Sequence, residues 1–209
     1  MDTAVSVPLV LATLGMLATS RPPLARTVFD IQIHLQIDQS IATRVHVLEL
    51  QDEAEQIWQP YGVRITWSDS VAQREPFPLT AVLGWRFDRA GAPSGPMVLG
   101  RAVIGPSDPP TRPIRISFQA TEATLALRRN AWTSVAGRLH DREMARALGR
   151  VLAHEVGHVL LALRVHEQTG LMREFFTPED LARADRSAFA LTPHSERRLR
   201  TRVETLKKT

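Results

Sequence analysis

The sequence predicts an α+β fold: a mixed, twisted sheet with a backing helix and a second, long helix, followed by a small helical C-terminal part. Three observations predict it. A strand, a helix and a strand open the chain, three short strand-like stretches follow, and helical patterns dominate from residue 141 onward. The chain has 209 residues, 44% of them hydrophobic, which is enough to bury one core. We therefore expect one domain at 26–209, with an upper part at 26–163 and a lower helical part at 164–209.

The first predicted element is a strand that begins at Thr27, in TVFDIQIHLQI, because apolar and polar residues alternate there. A helix at 41–59 follows, with Ser40 as its N-cap, since apolar residues recur at helical spacing. Pro60 and Gly62 would end this helix, and VRITW gives a second strand. Strand, helix and strand in this order favour parallel pairing of the two strands.

Three further strands are predicted in the stretches LTAVLGWRF, MVLGRAVIG and IRISFQA. Glycine and proline punctuate them, which indicates the rest of a mixed sheet with one free edge. A long helix is predicted from Asp141. Two shorter helices follow, one capped by Thr177 with Pro178 in its first turn and one that begins near TPHSERRL.

Charge and cysteine content limit the possible chemistry. The formal net charge is +4, and the basic residues cluster only in the last helical stretch, where glutamates interleave them. This pattern is typical of a solvated helix face, so we expect no nucleic-acid partner. The chain has no cysteine, which excludes disulfides, thiolate zinc sites and cysteine nucleophiles. Any metal would have to be held by histidine and carboxylate.

Residues 1–25 have the pattern of an export signal. An apolar run from Ala4 to Ala18 precedes a small-x-small site, although Asp2 and Pro8 depart from the usual pattern. We expect a secreted or periplasmic protein with no stable membrane span after processing. The alternative is a membrane anchor formed by an uncleaved N-terminal segment.

The stretch VLAHEVGHVLLALRVHEQTGLM, at 151–172, contains an HExxH motif. Because His154 and His158 are four residues apart, a helix presents both from one face, where both can reach one zinc ion. Glu155 lies about 100° round the helix, where it can hold a metal-bound water and take its proton. The alternative is two surface histidines one turn apart on an ordinary helix.

A catalytic zinc needs three protein ligands and an open fourth position. A helix that ends near Leu163, followed by a two-residue turn, would bring His166 back beside His158. His166 is therefore the candidate for the third ligand. Two alternatives stay open: His166 is a solvent-exposed loop residue, or the third ligand is a carboxylate from Glu179 or Asp180.

The tail HEVGHVLLALRVHEQTGLM resembles the metzincin superfamily of zinc peptidases, whose signature is HExxHxxGxxH followed by a Met-turn. Within that superfamily it is most similar to the matrix-metalloproteinase-like branch, in which Leu-Met or Val-Met follows the third histidine. The resemblance covers about 27–172 and is strongest in the last part. It implies a zincin or metzincin-like fold with an active-site helix. It also implies roles for five residues: His154, His158 and His166 as zinc ligands, Glu155 as general base and Met172 as the Met-turn residue beneath the metal.

The sequence departs from the signature in two places. Leu161 occupies the glycine position, and Arg164 stands where the third histidine is expected, two residues before His166. Glycine lets a chain leave a helix sharply, so its absence implies a longer helix and a different turn. Met172 could equally be a core methionine.

The resemblance implies a zinc-dependent metalloendopeptidase that hydrolyses peptide bonds through a zinc-bound water activated by Glu155. The expected cofactor is Zn²⁺, the expected partner is a peptide or protein substrate, and the expected state is a monomer. MVLGRAVIG is the candidate edge strand for an extended substrate, unless it is an ordinary sheet strand. The alternatives are a zinc-binding, non-catalytic domain that binds a peptide or protein, and an interaction module whose histidines bind no metal.

Overall fold

The computed structural model describes residues 29–69, 77–86, 98–105, 113–127 and 137–208, the side chains of 137–139 excepted. The predicted export signal at 1–25 and the predicted strand start at Thr27 lie outside these residues. Within the described part of the chain, no helix is both long and apolar enough to cross a membrane. Export, the monomeric state and the division of the domain at residue 163 stay predictions.

Five strands form one mixed sheet, and their bounds are β1 (Phe29–Ile37), β2 (Val63–Ser68), β3 (Pro78–Gly84), β4 (Gly100–Arg101) and β5 (Ile114–Ser117). The strand order is β2-β1-β3-β5-β4. The strands β1, β2, β3 and β5 run parallel, and β4 pairs antiparallel with β5 at one edge. The parallel pairing of β1 with β2, predicted from the opening crossover, is confirmed.

The helices of the described residues are α1 (Val47–Trp58), α2 (Phe118–Ala126), α3 (Gly137–Leu160), α4 (Pro178–Ala182) and α5 (Pro193–Leu206). The backing helix α1 packs along α3. Gly149 permits this close approach, because a Cβ there would lie 2.6 Å from the Leu50 carbonyl oxygen. Both helices share one hydrophobic core with the sheet. The predicted α+β class, with its mixed sheet, two main helices and helical C-terminal part, is confirmed.

One face of the sheet is buried. In β1 the side chains of Phe29, Ile31 and Ile33 are buried and alternate with half-buried ones. Leu35 and Ile37, predicted for the same face, are only partly buried. The period of two therefore identifies the buried face, while the depth of burial depends on where the helices cover the strand.

The start of α1 differs from the prediction. The helix begins at Val47 rather than at residue 41, and a short 3-10 turn at Ala42–Arg44 precedes it. Ser40 is not its N-cap, because the Ser40 N–H donates to the Asp38 carboxylate at 2.8 Å. Such a local side-chain bond stabilises a turn at the end of β1 and competes with helix initiation.

Two predicted strands are shorter than the sequence indicates. Of MVLGRAVIG, only Gly100–Arg101 pairs as a strand among the described residues, antiparallel to β5. IRISFQA is strand only as far as Ser117, whose hydroxyl accepts the Ala120 N–H at 3.2 Å and caps α2. The helix α2 was not predicted from the sequence.

The lower part follows the predicted caps. Thr177 begins α4 with a capping box, in which its hydroxyl accepts the Asp180 N–H and the Asp180 carboxylate accepts the Thr177 N–H. Thr192 begins α5 with a single cap bond, in which its hydroxyl accepts the Ser195 N–H. These two helices close the molecule beneath the end of α3.

Candidate metal centre

The last turns of α3 carry His154 and His158 on its buried face. All residues from 151 to 160 are buried, so this end of the helix lies between the core and the lower part. Spacing of four residues places the two imidazole rings one turn apart, with centroids 4.7 Å from each other and planes nearly perpendicular. Helix geometry therefore fixes the first two candidate ligands.

The helix ends at Leu160, and not near Leu163 as predicted. The Leu163 N–H donates to the His158 carbonyl at 3.0 Å and the Ala162 N–H to the Val159 carbonyl at 3.1 Å. These two bonds form a Schellman cap, in which Ala162 has a φ of 46° in the left-handed region. The sharp turn that the metzincin signature assigns to glycine thus occurs without one, and it returns the chain toward the helix.

The returning chain places His166 beside the helical pair. The Nε2 atoms of His154 and His158 are 3.0 Å apart, and those of His158 and His166 are 3.2 Å apart. Ligand nitrogens on a tetrahedral zinc ion, at bonds of 2.0–2.1 Å, are about 3.3 Å apart. In the described part of the chain, these three histidines are the one group of histidine and carboxylate side chains with converging ligand atoms. His154 and His158 are buried and His166 is exposed.

The hydrogen bonds of the two buried rings fix their tautomers. The Nδ1 of His154 donates to the Leu171 carbonyl at 2.7 Å, and the Nδ1 of His158 donates to the Leu163 carbonyl at 2.6 Å. Because a carbonyl only accepts, Nδ1 carries the proton and Nε2 keeps its lone pair. Unprotonated nitrogens that face each other at 3.0 Å repel, so this donor set fits a cation between them.

Burial also favours the neutral rings that a metal requires. It lowers the pKa of His154 to about 3, with a further contribution from His158 and an opposing one from the Leu171 carbonyl. Burial likewise lowers the pKa of His158. Both rings are therefore neutral at pH 7.

Glu155 is buried between α3 and the edge strand β4. The Ala102 N–H donates to its carboxylate, but burial outweighs this bond and raises the pKa of Glu155 to about 8. Gly100 lies directly against it, because a Cβ at residue 100 would be 2.5 Å from the Glu155 Oε1. The carboxylate also lines the cleft beside the histidines.

The structure does not bring the two alternative carboxylates to the histidines. Asp180 accepts the Thr177 N–H at 2.9 Å and forms an ion pair with Arg173 at 2.6 Å. Glu179 is exposed on α4, and the group of converging ligand atoms contains neither residue. The geometry therefore favours His166 as the third candidate ligand.

Met172 is fully buried against the helix that carries the motif. A Cβ at Gly157 would lie 2.4 Å from the Met172 Sδ, so only glycine leaves room for the thioether there. The residue before Met172 provides the carbonyl that accepts from His154. Met172 is thus a core methionine that packs against Gly157 of α3, and its role as a Met-turn residue stays a prediction.

A cleft that is open to solvent lies in front of the histidines. Its walls come from the β4 edge and from the segment after Met172, and its apolar lining includes Val98, Leu99, Phe175 and Phe176. The ring of Phe176 meets His154 edge-on, with centroids 5.5 Å apart, and stacks on Phe189. Gly100 and Phe176 were not predicted as site residues. Their one sequence signal is proximity to predicted features, the edge strand and Met172.

No protein-family model matches the chain, and no curated protein matches it in sequence. The structure of archaemetzincin from Methanopyrus kandleri is similar, with a TM-score of 0.52 and 14% sequence identity. The match covers 87% of this chain and 99% of that chain. The chain has a metzincin-like fold. The predicted zincin or metzincin-like fold is therefore confirmed, whereas this match gives no support to the nearer likeness to the matrix-metalloproteinase-like branch.

Proposed function

We propose that this protein is a zinc-dependent metalloendopeptidase that hydrolyses bonds in peptide or protein substrates. One observation carries the proposal: three histidine Nε2 atoms converge beside a buried glutamate, in an open cleft of a metzincin-like fold. Histidine triads with an open fourth position are typical of catalytic zinc sites.

The proposed ligands are His154, His158 and His166 through their Nε2 atoms. The carbonyl groups of Leu171 and Leu163 orient the two buried rings and increase their basicity as ligands. A zinc ion held there would polarise a peptide carbonyl and lower the pKa of a coordinated water. Met172 would form the floor beneath this site through its contact with α3.

Glu155 is the proposed general base. Its carboxylate lines the same cleft as His154 and His166, within reach of a water that attacks a substrate bound there. It would accept the proton of that water on a carboxylate oxygen and pass it to the leaving amine.

The edge strand β4 is the proposed docking edge for the substrate backbone. It is the last strand in the sheet order, and it borders the cleft at Gly100. An extended peptide can pair with such an edge through main-chain hydrogen bonds. The apolar side chains of Val98, Phe175 and Phe176 would contact substrate side chains next to the reacting bond.

A zinc-binding, non-catalytic peptide-binding domain is the second candidate. The bond from the Ala102 N–H to Glu155 favours it, because this carboxylate could serve only to tie α3 to the edge strand. In that case the charge of Glu155 would be dispensable for binding. The two candidates therefore differ in the effect of neutralising Glu155.

The test measures zinc content together with cleavage of a random peptide library by the full chain. We expect one zinc per chain and cleavage by the wild type. In Glu155→Gln, we expect full zinc content with cleavage reduced by about 10²-fold or more, because the amide cannot accept the proton. Glu179→Gln, an exposed carboxylate of α4, is the matched control and should cleave as the wild type does. Cleavage by Glu155→Gln at the wild-type rate, or a zinc-loaded wild type without cleavage, would contradict the proposal.

A further inference from the structure

The third candidate ligand is held differently from the other two. His154 and His158 lie on a helix, and a backbone carbonyl fixes each ring. His166 lies in the loop after α3, is exposed, and has no carbonyl partner among the described residues. Its position must therefore come from the backbone that carries it.

That backbone is fixed by the next residue, Glu167. The Glu167 N–H donates to the Met172 carbonyl at 2.8 Å, and Glu167 forms an isolated β-bridge with Arg173. These contacts join the loop of His166 to the segment that holds Met172.

The side chain of Glu167 supplies the remaining anchor. Its carboxylate accepts the Thr192 hydroxyl at 2.9 Å and the Ser195 hydroxyl at 2.9 Å. Thr192 is the N-cap of α5, and Ser195, which is fully buried, lies in its first turn. A carboxylate at this position also interacts favourably with the positive end of the helix dipole.

We propose that Glu167 is a positioning residue for the third metal ligand and that the N-terminus of α5 belongs to the support of the metal site. The inference rests on the proposed zinc site. It accounts for the spacing of this chain, in which His166 follows two residues later than the metzincin signature requires. The longer loop is held in place by its own carboxylate and by α5.

Zinc affinity of the folded chain tests this inference, measured by competition with a chromophoric chelator. In Glu167→Ala we expect the Kd for zinc to rise by about 10- to 100-fold, the usual effect of losing a residue that orients a ligand. Glu167→Gln retains an acceptor oxygen without the charge, so its Kd should lie between that of the wild type and that of Glu167→Ala. Glu196→Gln removes a carboxylate from the same helical turn, where it pairs with Arg200, and should leave the Kd unchanged.

Ser195→Ala tests the anchor from the other side. It removes the hydroxyl that donates to Glu167 and leaves the Ser195 N–H that the Thr192 cap requires. We expect a rise of a few-fold in Kd for Ser195→Ala, and no further rise when it is added to Glu167→Ala, because both changes remove one interaction. The single variant Ser195→Ala also tests the anchor if Glu167→Ala does not fold.

The outcomes separate this inference from the proposed function. A wild type that binds no zinc would overturn the proposed function and this inference with it. A wild type that binds zinc, with folded Glu167→Ala within twofold of its Kd, would overturn the positioning role alone. Lower stability of the metal-free variant without a change in Kd would mean a purely structural role and would also overturn it. A wild type that binds zinc but cleaves no peptide would count against the proposed peptidase function and not against this inference.

Discussion

Two glycines determine how closely side chains approach the candidate metal centre. Gly157 leaves room for the Met172 thioether against α3, and Gly100 leaves room for the Glu155 carboxylate beside β4. Neither has a positive φ, so the reason for glycine is space and not backbone conformation. The two candidate catalytic features, metal floor and general base, each depend on the absence of one Cβ.

We predict that Gly100→Ala reduces catalysis and spares zinc binding. The new Cβ would lie 2.5 Å from the Glu155 Oε1 and 2.8 Å from the Val151 Cγ1, so the carboxylate must shift. A misplaced general base should lower kcat/KM by about tenfold or more, while the histidines keep their positions. Gly84→Ala is the matched control, because its Cβ would meet only the Arg86 carbonyl oxygen at 3.6 Å. Wild-type kinetics for Gly100→Ala, measured with the zinc content, would contradict the role of Gly100.

The residues of the motif differ in how far the sequence could predict them. Helix periodicity places His154 and His158 on one face without further information. His166 was predicted as a ligand, but through a helix that ends near Leu163, whereas the turn comes at Ala162. The contact of Gly100 with Glu155 joins residues more than fifty positions apart, and no local pattern predicts it.

At the scale of elements, the C-terminus of α3 is the feature that places the third ligand. Ala162 occupies the left-handed region with a φ of 46°, which is unfavourable for a residue with a Cβ. Arg198 of α5 donates to the carbonyl oxygens of Leu161 at 2.5 Å and Ala162 at 2.9 Å. These charge-assisted bonds supply donors for two carbonyl groups at the C-terminus of α3, and they stabilise the strained turn.

We predict that Ala162→Gly stabilises the protein. Glycine adopts a positive φ without strain, and the gain of about 1–2 kcal/mol exceeds the larger entropy of its unfolded chain, which leaves roughly 0.5–1 kcal/mol. The free energy of unfolding from denaturant titration checks this. Ala126→Gly, in the last turn of α2, should instead destabilise by up to about 1 kcal/mol. A lower stability for Ala162→Gly would contradict the cap described here.

We predict that Asp180→Asn lowers stability at neutral pH and leaves zinc content unchanged. Burial raises the pKa of Asp180, but the bonds from Thr177 and the charge of Arg173 outweigh it, so the pKa lies below 3.8. The ionised carboxylate therefore stabilises the fold above pH 3.8, and this contribution disappears as the pH falls through the lower folded pKa. The difference from the wild type, about 1 kcal/mol at pH 7, should vanish in strong acid. A loss of zinc in Asp180→Asn would restore Asp180 as a ligand.

The elements themselves were predictable where a single local signal dominates. Alternation predicted β1, and Thr177 with Pro178 predicted the start of α4. The errors arise where two local signals compete. Asp38 forms a turn with Ser40, the residue predicted to cap the helix, and Ser117 caps α2 inside the stretch IRISFQA, which was predicted as a strand.

At the scale of the whole molecule, an ionic network around the buried Glu53 joins the upper part to the lower one. Arg150 of α3 is fully buried and donates to Glu53 of α1 at 2.7 Å and to the Asp185 carbonyl at 2.9 Å. Arg186 binds the other oxygen of Glu53 at 2.7 Å, and Arg150 lies 4.5 Å from the ring centroid of Phe189. These contacts hold the chain after α4 against both α1 and α3. Arg150 lies on α3 one turn before His154.

We predict that Glu53→Gln destabilises the whole fold by about 3–5 kcal/mol, because it leaves the Arg150 charge buried without its counter-ion. Unfolding followed by circular dichroism and by tryptophan fluorescence should show one transition, because Glu53 links the upper part to the lower part through Arg150 and Arg186. Glu49→Gln, exposed on the same helix, should change stability by less than about 1 kcal/mol. Glu53→Gln with wild-type stability would contradict the linking role of this pair.

The fold class could be predicted because composition, periodicity and the order of elements all agree. The ionic link between the upper and lower parts could not be predicted, because the sequence around Arg150 and Glu53 indicates only ordinary charged positions on helix faces. Only the close approach of α1 to α3 at Gly149 turns them into a buried pair.

The central claim is that His154, His158 and His166 hold one zinc ion through their Nε2 atoms. Diffraction from zinc-loaded crystals, recorded on both sides of the zinc absorption edge, tests it most directly. We predict one anomalous peak per chain, at about 2.0–2.1 Å from each of the three Nε2 atoms. A peak bound to other side chains, or no peak between these histidines in zinc-saturated protein, would contradict it.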